Sequence, residues 1–169
     1  MNKTMKISLK EYQDEHAKYI LNLDCSPKEY QRNHKNIKKS VTSMIEEIND
    51  SIEKGDLYYT LFMNKTIIGF AIIRPDNRFD APNKTAYIEY YIDKEYKNEG
   101  IGEELIGLII KKAKKKRFRK LMAIVYIFNY PSRKILLRND FRQVGELINH
   151  MKHNDSNKYD SVMLYEYLL

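Results

Sequence analysis

The stretch 85–105, Thr85-Ala-Tyr-Ile-Glu-Tyr-Tyr-Ile-Asp-Lys-Glu-Tyr-Lys-Asn-Glu-Gly-Ile-Gly-Glu-Glu-Leu105, decides how this chain is read. It predicts a strand over 85–93, a tight glycine loop, and the start of a long amphipathic helix. Gly100 and Gly102 bracket the turn. Without a Cβ, glycine takes φ > 0 and lets a ligand approach the backbone closely. The first N–H groups of a helix have no partner inside the helix, so such an end binds anions, phosphates above all. A G-x-G pair alone reads equally well as a simple turn. The strand directly before it and the helix directly after supply the context that a phosphate site requires.

The surrounding segments give the frame. Upstream, residues 57–63 and 66–74 predict two strands joined at Asn64-Lys65 as a hairpin. Residues 75–84, with two prolines, two asparagines and two aspartates, predict a loop. Ile37, Val41, Met44, Ile45, Ile48 and Ile52 recur at helical spacing, which predicts a helix over 34–54, stopped by Gly55. Residues 5–8 predict a short first strand. Ser8-Leu9-Lys10-Glu11 has capping-box spacing and predicts a helix start, with Tyr12, His16, Tyr19 and Leu23 on one face and Pro27 as its end. Downstream, the helix after Gly102 buries Leu105, Leu108, Ile109 and Ala113. The apolar run 121–128 predicts a strand buried on both faces. Strand, crossover helix and buried strand form a right-handed parallel βαβ unit. A short helix over 132–139 and strands over 141–151 and 158–168 follow, the last two joined by a polar loop at 153–157. The order β-α-α-β-β-β-α-β-α-β-β is an α/β fold with a mixed sheet.

At 169 residues the chain suits one domain, 1–169. With 43% hydrophobic residues and mixed charge it is a folding sequence and not a disordered one. No apolar run reaches the ~18 residues of a membrane span, and the N-terminus lacks the apolar core of a signal peptide. The single cysteine, Cys25, excludes an internal disulfide and fits a cytoplasmic location; its place beside Pro27 gives little support for a nucleophile. The net charge of +7 is concentrated, since residues 111–120 carry eight of the thirty basic side chains. Such a run is either a nucleic-acid footprint or a solvated last helical turn whose cations offset the macrodipole. The second reading is preferred, because no aromatic platform or recognition helix accompanies the run. His150-x-x-His153 lacks a third ligand at metal-site spacing, so no metal is assigned.

The chain resembles the GNAT superfamily of acyl-CoA-dependent N-acetyltransferases, best over residues 57–147. The family's phosphate motif, Q/R-x-x-G-x-G/A, stands here as Lys97-Asn98-Glu99-Gly100-Ile101-Gly102, with lysine in the first position. Lysine supplies charge there but not the bidentate fork of arginine. Ile68-Gly69-Phe70-Ala71 is similar to the family's strand before the loop. A second family block, N-x-x-A/S-x-x-L-Y-x-x-x-G-F, is matched by Asn129, Ser132, Ile135 and Phe141. Asp140 replaces the glycine, and aspartate tolerates a left-handed backbone better than most residues. Leu136 replaces the tyrosine that in many members protonates the leaving thiolate. Val144-Gly145-Glu146-Leu147 resembles, more weakly, the phosphinothricin-acetyltransferase-like branch.

The resemblance implies a mixed, mostly antiparallel central sheet with a splayed parallel strand pair, flanked by helices. It implies acetyl-CoA as co-substrate. The pyrophosphate would rest on Lys97, Asn98, Glu99, Gly100, Ile101 and Gly102. The pantetheine would lie along Ile92 and Asp93 and bond Asn129, with Ser132 and Lys134 toward the phosphate end. A small-molecule or peptide amine would attack the thioester directly. Glu89 is then the candidate proton acceptor, against a plain reading as a strand-face glutamate paired with a lysine. Tyr130, and beside it Tyr126, is the candidate replacement for the missing tyrosine. His16, His34, Tyr12, Tyr19 and Tyr30 would wall the acceptor pocket. A homodimer is compatible with the family, and neither membrane nor nucleic acid is expected as a partner. Two rival readings remain: a non-catalytic acyl-CoA-binding module, which Leu136 favours, and a basic nucleic-acid-associated protein.

Overall fold

The computed structural model describes residues 6–23, 40–77, 84–97, 100–152 and 157–169. Seven strands form one sheet: β1 (Ile7–Glu11), β2 (Leu57–Met63), β3 (Thr66–Pro75), β4 (Thr85–Ile92), β5 (Lys120–Tyr126), β6 (Arg142–Lys152) and β7 (Tyr159–Leu168). Their order is β1-β2-β3-β4-β5-β7-β6. Every neighbouring pair is antiparallel except β4 and β5. Helices α1 (Ala17–Leu21), α2 (Val41–Glu53), α3 (Ile101–Lys115) and α4 (Tyr130–Arg138) flank the sheet. The expected mixed sheet with one parallel pair is present.

Pairing of β4 with β5 is short. Thr85, Ala86 and Tyr87 pair with Lys120, Leu121 and Met122, and pairing stops there. Residues 88–92 and 123–126 continue as strands, so the two diverge. β4 remains bonded to β3 through Gly69↔Ile92, and β5 to β7 through Tyr126↔Val162. Each strand therefore follows its other neighbour, and a cleft opens in the middle of the sheet.

The main core lies between the sheet and α3, where Leu105, Ile106, Ile109 and Ala113 pack against Tyr59, Leu61, Ala71, Ile73, Ile88 and Leu121. Burying such aliphatic side chains contributes roughly 1.5–3 kcal/mol each. α1 and α2 stand on the opposite face, marked by buried Ala17, Ile20, Ile48 and Ile72.

Several expectations are corrected. Ser8-Leu9-Lys10-Glu11 does not start a helix. Ile7 and Leu9 alternate into the core and the segment pairs with β2, so inter-strand bonding prevails over a local cap. A 3-10 turn over Asp14–His16 leads instead into α1. Tyr12 precedes both, and Tyr19 is 51% exposed, so the supposed shared face is not formed. The helix expected over 34–54 starts at Val41. Ser40 is extended, and its hydroxyl accepts from the Ser43 N–H at 3.0 Å, the geometry of an N-cap. Residues 34–39 lie outside the described residues, as do Cys25, Pro27, Tyr30 and His153. β5 ends at Tyr126 and is not buried on both faces: Leu121, Ala123 and Val125 are buried, while Ile124 is 50% exposed. α4 begins at Tyr130, ahead of the expected 132, because Asn129 caps it. Gly55 ends α2 at φ +101°, and Asp140 takes φ +63°, the left-handed turn expected of it.

Candidate acyl-CoA and amine site

Three elements meet at the cleft: the end of β4, the N-terminus of α3 and the N-terminus of α4. Gly100 caps α3 at φ +74°, and a Cβ placed on it would meet nothing within 4 Å. Among the described residues, nothing fills the place of a side chain at this helix end. The Gly100 carbonyl already accepts from the Glu103 and Glu104 N–H groups at 3.1 and 3.3 Å, which leaves the N–H groups of Ile101 and Gly102 as those a helix start offers to an anion. Lys97 is exposed just before the loop. Asn98 and Glu99 lie outside the described residues.

Gly102 has a different reason from the one expected. It lies inside α3 and is buried. An added Cβ would stand 2.6 Å from Ile135 Cδ1. Its missing side chain lets α3 and α4 touch.

At the end of β4, the Asp93 N–H donates to the Ile68 carbonyl at 2.8 Å, and its carboxylate accepts from the Glu95 N–H at 3.0 Å. Asp93 therefore anchors the strand end, its carbonyl accepting from the Tyr96 N–H at 3.0 Å, and the backbone of Ile92 borders the cleft. Gly69 is essential to this arrangement. A Cβ there would sit 2.1 Å from the Tyr91 carbonyl oxygen, so β3 and β4 approach more closely than any other residue would allow. Asn129 uses Oδ1 to accept from the Ser132 N–H at 3.3 Å, which leaves its amide NH₂ for another acceptor. Lys134 is exposed on the second turn of α4.

The two faces of β4 carry different chemistry. Glu89 points toward α2. Its Oε1 accepts from Arg74 Nη1 at 2.6 Å. Arg74 Nε donates to Asp56 Oδ2 at 2.8 Å, and the Ser51 hydroxyl donates to the same oxygen at 2.6 Å. The cationic partner of Glu89 is thus Arg74 and not the lysine of the plain reading. Tyr90 points the other way, toward α4. Its hydroxyl lies beside the Ser132 side chain and, among the described residues, is buried without a hydrogen bond of good geometry. Burial pushes this phenol up to about 12, the Ser132 hydroxyl acting in the opposite sense.

Arg74, Asp56 and Tyr90 escaped the sequence reading. Period-2 alternation through Ala86, Ile88, Tyr90 and Ile92, the core-facing set of β4, was the available signal for Tyr90; the Arg74 contact depends on strand register. Leu136, at the usual tyrosine position, is fully buried in the main core. Tyr130 is 68% exposed, with the Arg133 guanidinium 5.4 Å from its ring centre. Tyr126 stacks on Phe128, ring centres 5.1 Å apart. His16 is buried, with Nδ1 3.0 Å from Thr60 Oγ1. It lines a hollow of about 300 Å³ with Lys10, Glu11, Gln13, Glu15 and Phe62 at the β1 edge, away from the cleft. Tyr12 packs edge-on against His16.

These features fit an acyl-CoA. The stretch of β4 beyond its pairing with β5 matches the amides of a pantetheine arm, a glycine-capped helix start matches a pyrophosphate, and a buried phenol hydroxyl stands where the strands part.

Comparison with known proteins agrees. The family model described as "Acetyltransferase (GNAT) family" matches residues 17–141. A Bacillus subtilis (strain 168) protein named "Putative phosphinothricin acetyltransferase YwnH" is 32% identical over 84 residues, 50% of this chain and 51% of that protein; the match spans about half the length of that curated relative. The solved N-acetyltransferase from Staphylococcus aureus Mu50 superposes with a TM-score of 0.79 at 18% identity, covering 96% of this chain and 98% of that one. The structure of yncA from Salmonella typhimurium with acetyl-CoA gives 0.77 at 11% identity, covering 96% and 94%.

Proposed function

The chain belongs to the acetyltransferase (GNAT) family, and from that membership we propose that it moves an acetyl group from acetyl-CoA to a primary amine by direct attack. The observation that carries this reading is the end of β4–β5 pairing after Tyr87 and Met122, directly below a helix that opens on Gly100. When bound, acetyl-CoA supplies an acetyl group activated as a thioester.

The residues divide the work. Ile101 and Gly102, with Lys97, Asn98, Glu99 and Gly100, hold the pyrophosphate through backbone N–H groups and charge. The backbone of Ile92 and Asp93 and the amide of Asn129 hold the pantetheine arm, with Ser132 and Lys134 beside them. Glu89, oriented by Arg74 at 2.6 Å, takes the proton that the amine sheds, directly or through water. Tyr130 is the exposed phenol at the mouth of α4. Positioning supplies much of the rate in such a transfer.

The acceptor is a small-molecule or peptide amine, and the location cytoplasmic; among the described residues no helix is long and apolar enough to cross a membrane. The outer strand β6 exposes Val144, Ile148 and Met151, an apolar edge suited to a homodimer. Leu136 favours a second reading, an acyl-CoA-binding module without turnover. Acetyl-CoA should raise the melting temperature under both readings. Release of CoA thiol with a panel of polyamines, amino acids and peptides is expected only under the first, and its absence with every amine would leave the second.

A further inference from the structure

We propose that Tyr90 is a catalytic residue of this transfer, its hydroxyl donating a hydrogen bond to the sulfur that leaves. The proposal rests on the N-acetyltransferase reading and names a group that reading did not use.

Three observations converge on this residue. Tyr90 lies on β4 beyond Tyr87, the last residue paired with β5, so it belongs to the part of the strand that borders the cleft. Its hydroxyl is buried and, among the described residues, has no hydrogen bond of good geometry, the Ser132 side chain being the polar group beside it. A buried donor left unmade carries a desolvation cost, which an arriving acceptor would recover. Ser132, its neighbour, lies four residues before Leu136 on α4, hence on the same helix face one turn away. Where α4 presents an aliphatic side chain, β4 presents a phenol to the same helix. The other tyrosines are less suited: Tyr130 is mostly in solvent, and Tyr126 is stacked on Phe128.

The role is donation and not full proton transfer. A free thiol ionises near pKa ~8.5, while burial holds the Tyr90 phenol near about 12. The phenol is therefore the weaker acid, and the proton stays on its oxygen. As the amine nitrogen bonds to the acetyl carbon, the carbon–sulfur bond breaks and its electron pair remains on sulfur as a thiolate, held by the Tyr90 O–H. The surplus amine proton passes to Glu89 or water, and the thiolate takes a proton from solvent as CoA departs. A preorganised donor aimed at developing charge needs no reorganisation during the reaction.

The test is Tyr90→Phe beside Tyr130→Phe and Tyr126→Phe, each measured for melting temperature, acetyl-CoA melting shift, turnover, and the pKa of the thiol of bound CoA by thiolate absorbance. For Tyr90→Phe the expected result is an unchanged or higher melting temperature without ligand, a retained acetyl-CoA shift, and kcat lower by roughly 10²–10³-fold. In the wild type the bound thiol should titrate about one unit below free CoA, a tenfold stabilisation of thiolate; that shift should vanish in Tyr90→Phe and persist in the other two. Wild-type kcat and thiol pKa in Tyr90→Phe would overturn the assignment while leaving the acetyltransferase reading intact. So would loss of both in Tyr130→Phe or Tyr126→Phe. A wild type that shows neither an acetyl-CoA shift nor CoA release with any amine would overturn both.

Discussion

Arg74 Nη1 lies 2.6 Å from Glu89 Oε1 across the β3–β4 ladder, while Arg74 Nε lies 2.8 Å from Asp56 Oδ2. One guanidinium thus ties the loop after α2 to the carboxylate proposed as proton acceptor. The Arg74–Glu89 pair is partly exposed, so its own contribution to stability is small, roughly 0–1 kcal/mol. Its effect is to hold the Glu89 carboxylate in one place.

Glu89→Gln is accordingly expected to melt within a few degrees of wild type and to lose roughly 10²–10⁴-fold in turnover at neutral pH. Part of the loss should return at high pH, where more of the amine is already neutral. Steady-state rates over a pH series check this. Full turnover at pH 7 would make Glu89 a structural partner of Arg74 only.

Gly100 and Gly102 should separate when substituted. Gly100→Val forces a β-branched residue to φ +74°, at a cost of roughly 1–3 kcal/mol, and should sharply reduce the acetyl-CoA melting shift. Gly102→Val should destabilise by roughly 1–3 kcal/mol through its contact with Ile135. Adding Ile135→Ala should recover part of that loss, since contacting residues couple. A double variant that is merely additive would show that the 2.6 Å approach to Ile135 is not what excludes a side chain at 102.

Gly69→Ala is expected to be costlier than either. Its Cβ would sit 2.1 Å from the Tyr91 carbonyl, a backbone atom that cannot swing aside. The strands must separate, at about 3 kcal/mol or more, and the end of β4 moves with them. Chemical denaturation measures the loss. Wild-type stability would mean that this pair of strands tolerates a wider spacing.

The pH dependence follows from two phenols. Tyr90 and Tyr12 are both pushed up to about 12, burial being the first cause in each and Asp14 adding to it at Tyr12. Unfolded tyrosine ionises near ~10. The folded state therefore binds more protons between ~10 and 12. The stability these groups contribute is complete below ~10 and is lost as pH rises through 12. Melting temperatures should fall over that window and fall less in Tyr90→Phe. Because Tyr90 stays protonated, kcat/KM for the acceptor should rise with deprotonation of the amine or its base and level off, with no descending limb by pH ~10.5. A limb near ~10 removed by Tyr130→Phe would relocate the donor to that residue.

The strand–glycine–helix passage at 85–105 was legible because its signals are local: apolar alternation, a glycine able to take φ > 0 and an amphipathic period all act within a few residues. The same locality made Gly55 and Asp140 readable as left-handed positions. Local signals also misled. Ser8–Glu11 had the spacing of a helix cap, yet its backbone pairs with residues 59–62, about fifty positions away. Sequence proposed Glu89 and its neighbourhood; register between β3 and β4 decided that Arg74 would grip it. Gly102 was recognisable as special, but only the packing of α3 on α4 shows that Ile135 is the reason. Alternation placed Tyr90 on the face opposite Glu89, but burial of its hydroxyl beside Ser132 depends on how α4 packs on β4. Backbone conformation is set largely by each residue and its near neighbours, whereas desolvation and charge pairing belong to whatever the tertiary fold brings into contact.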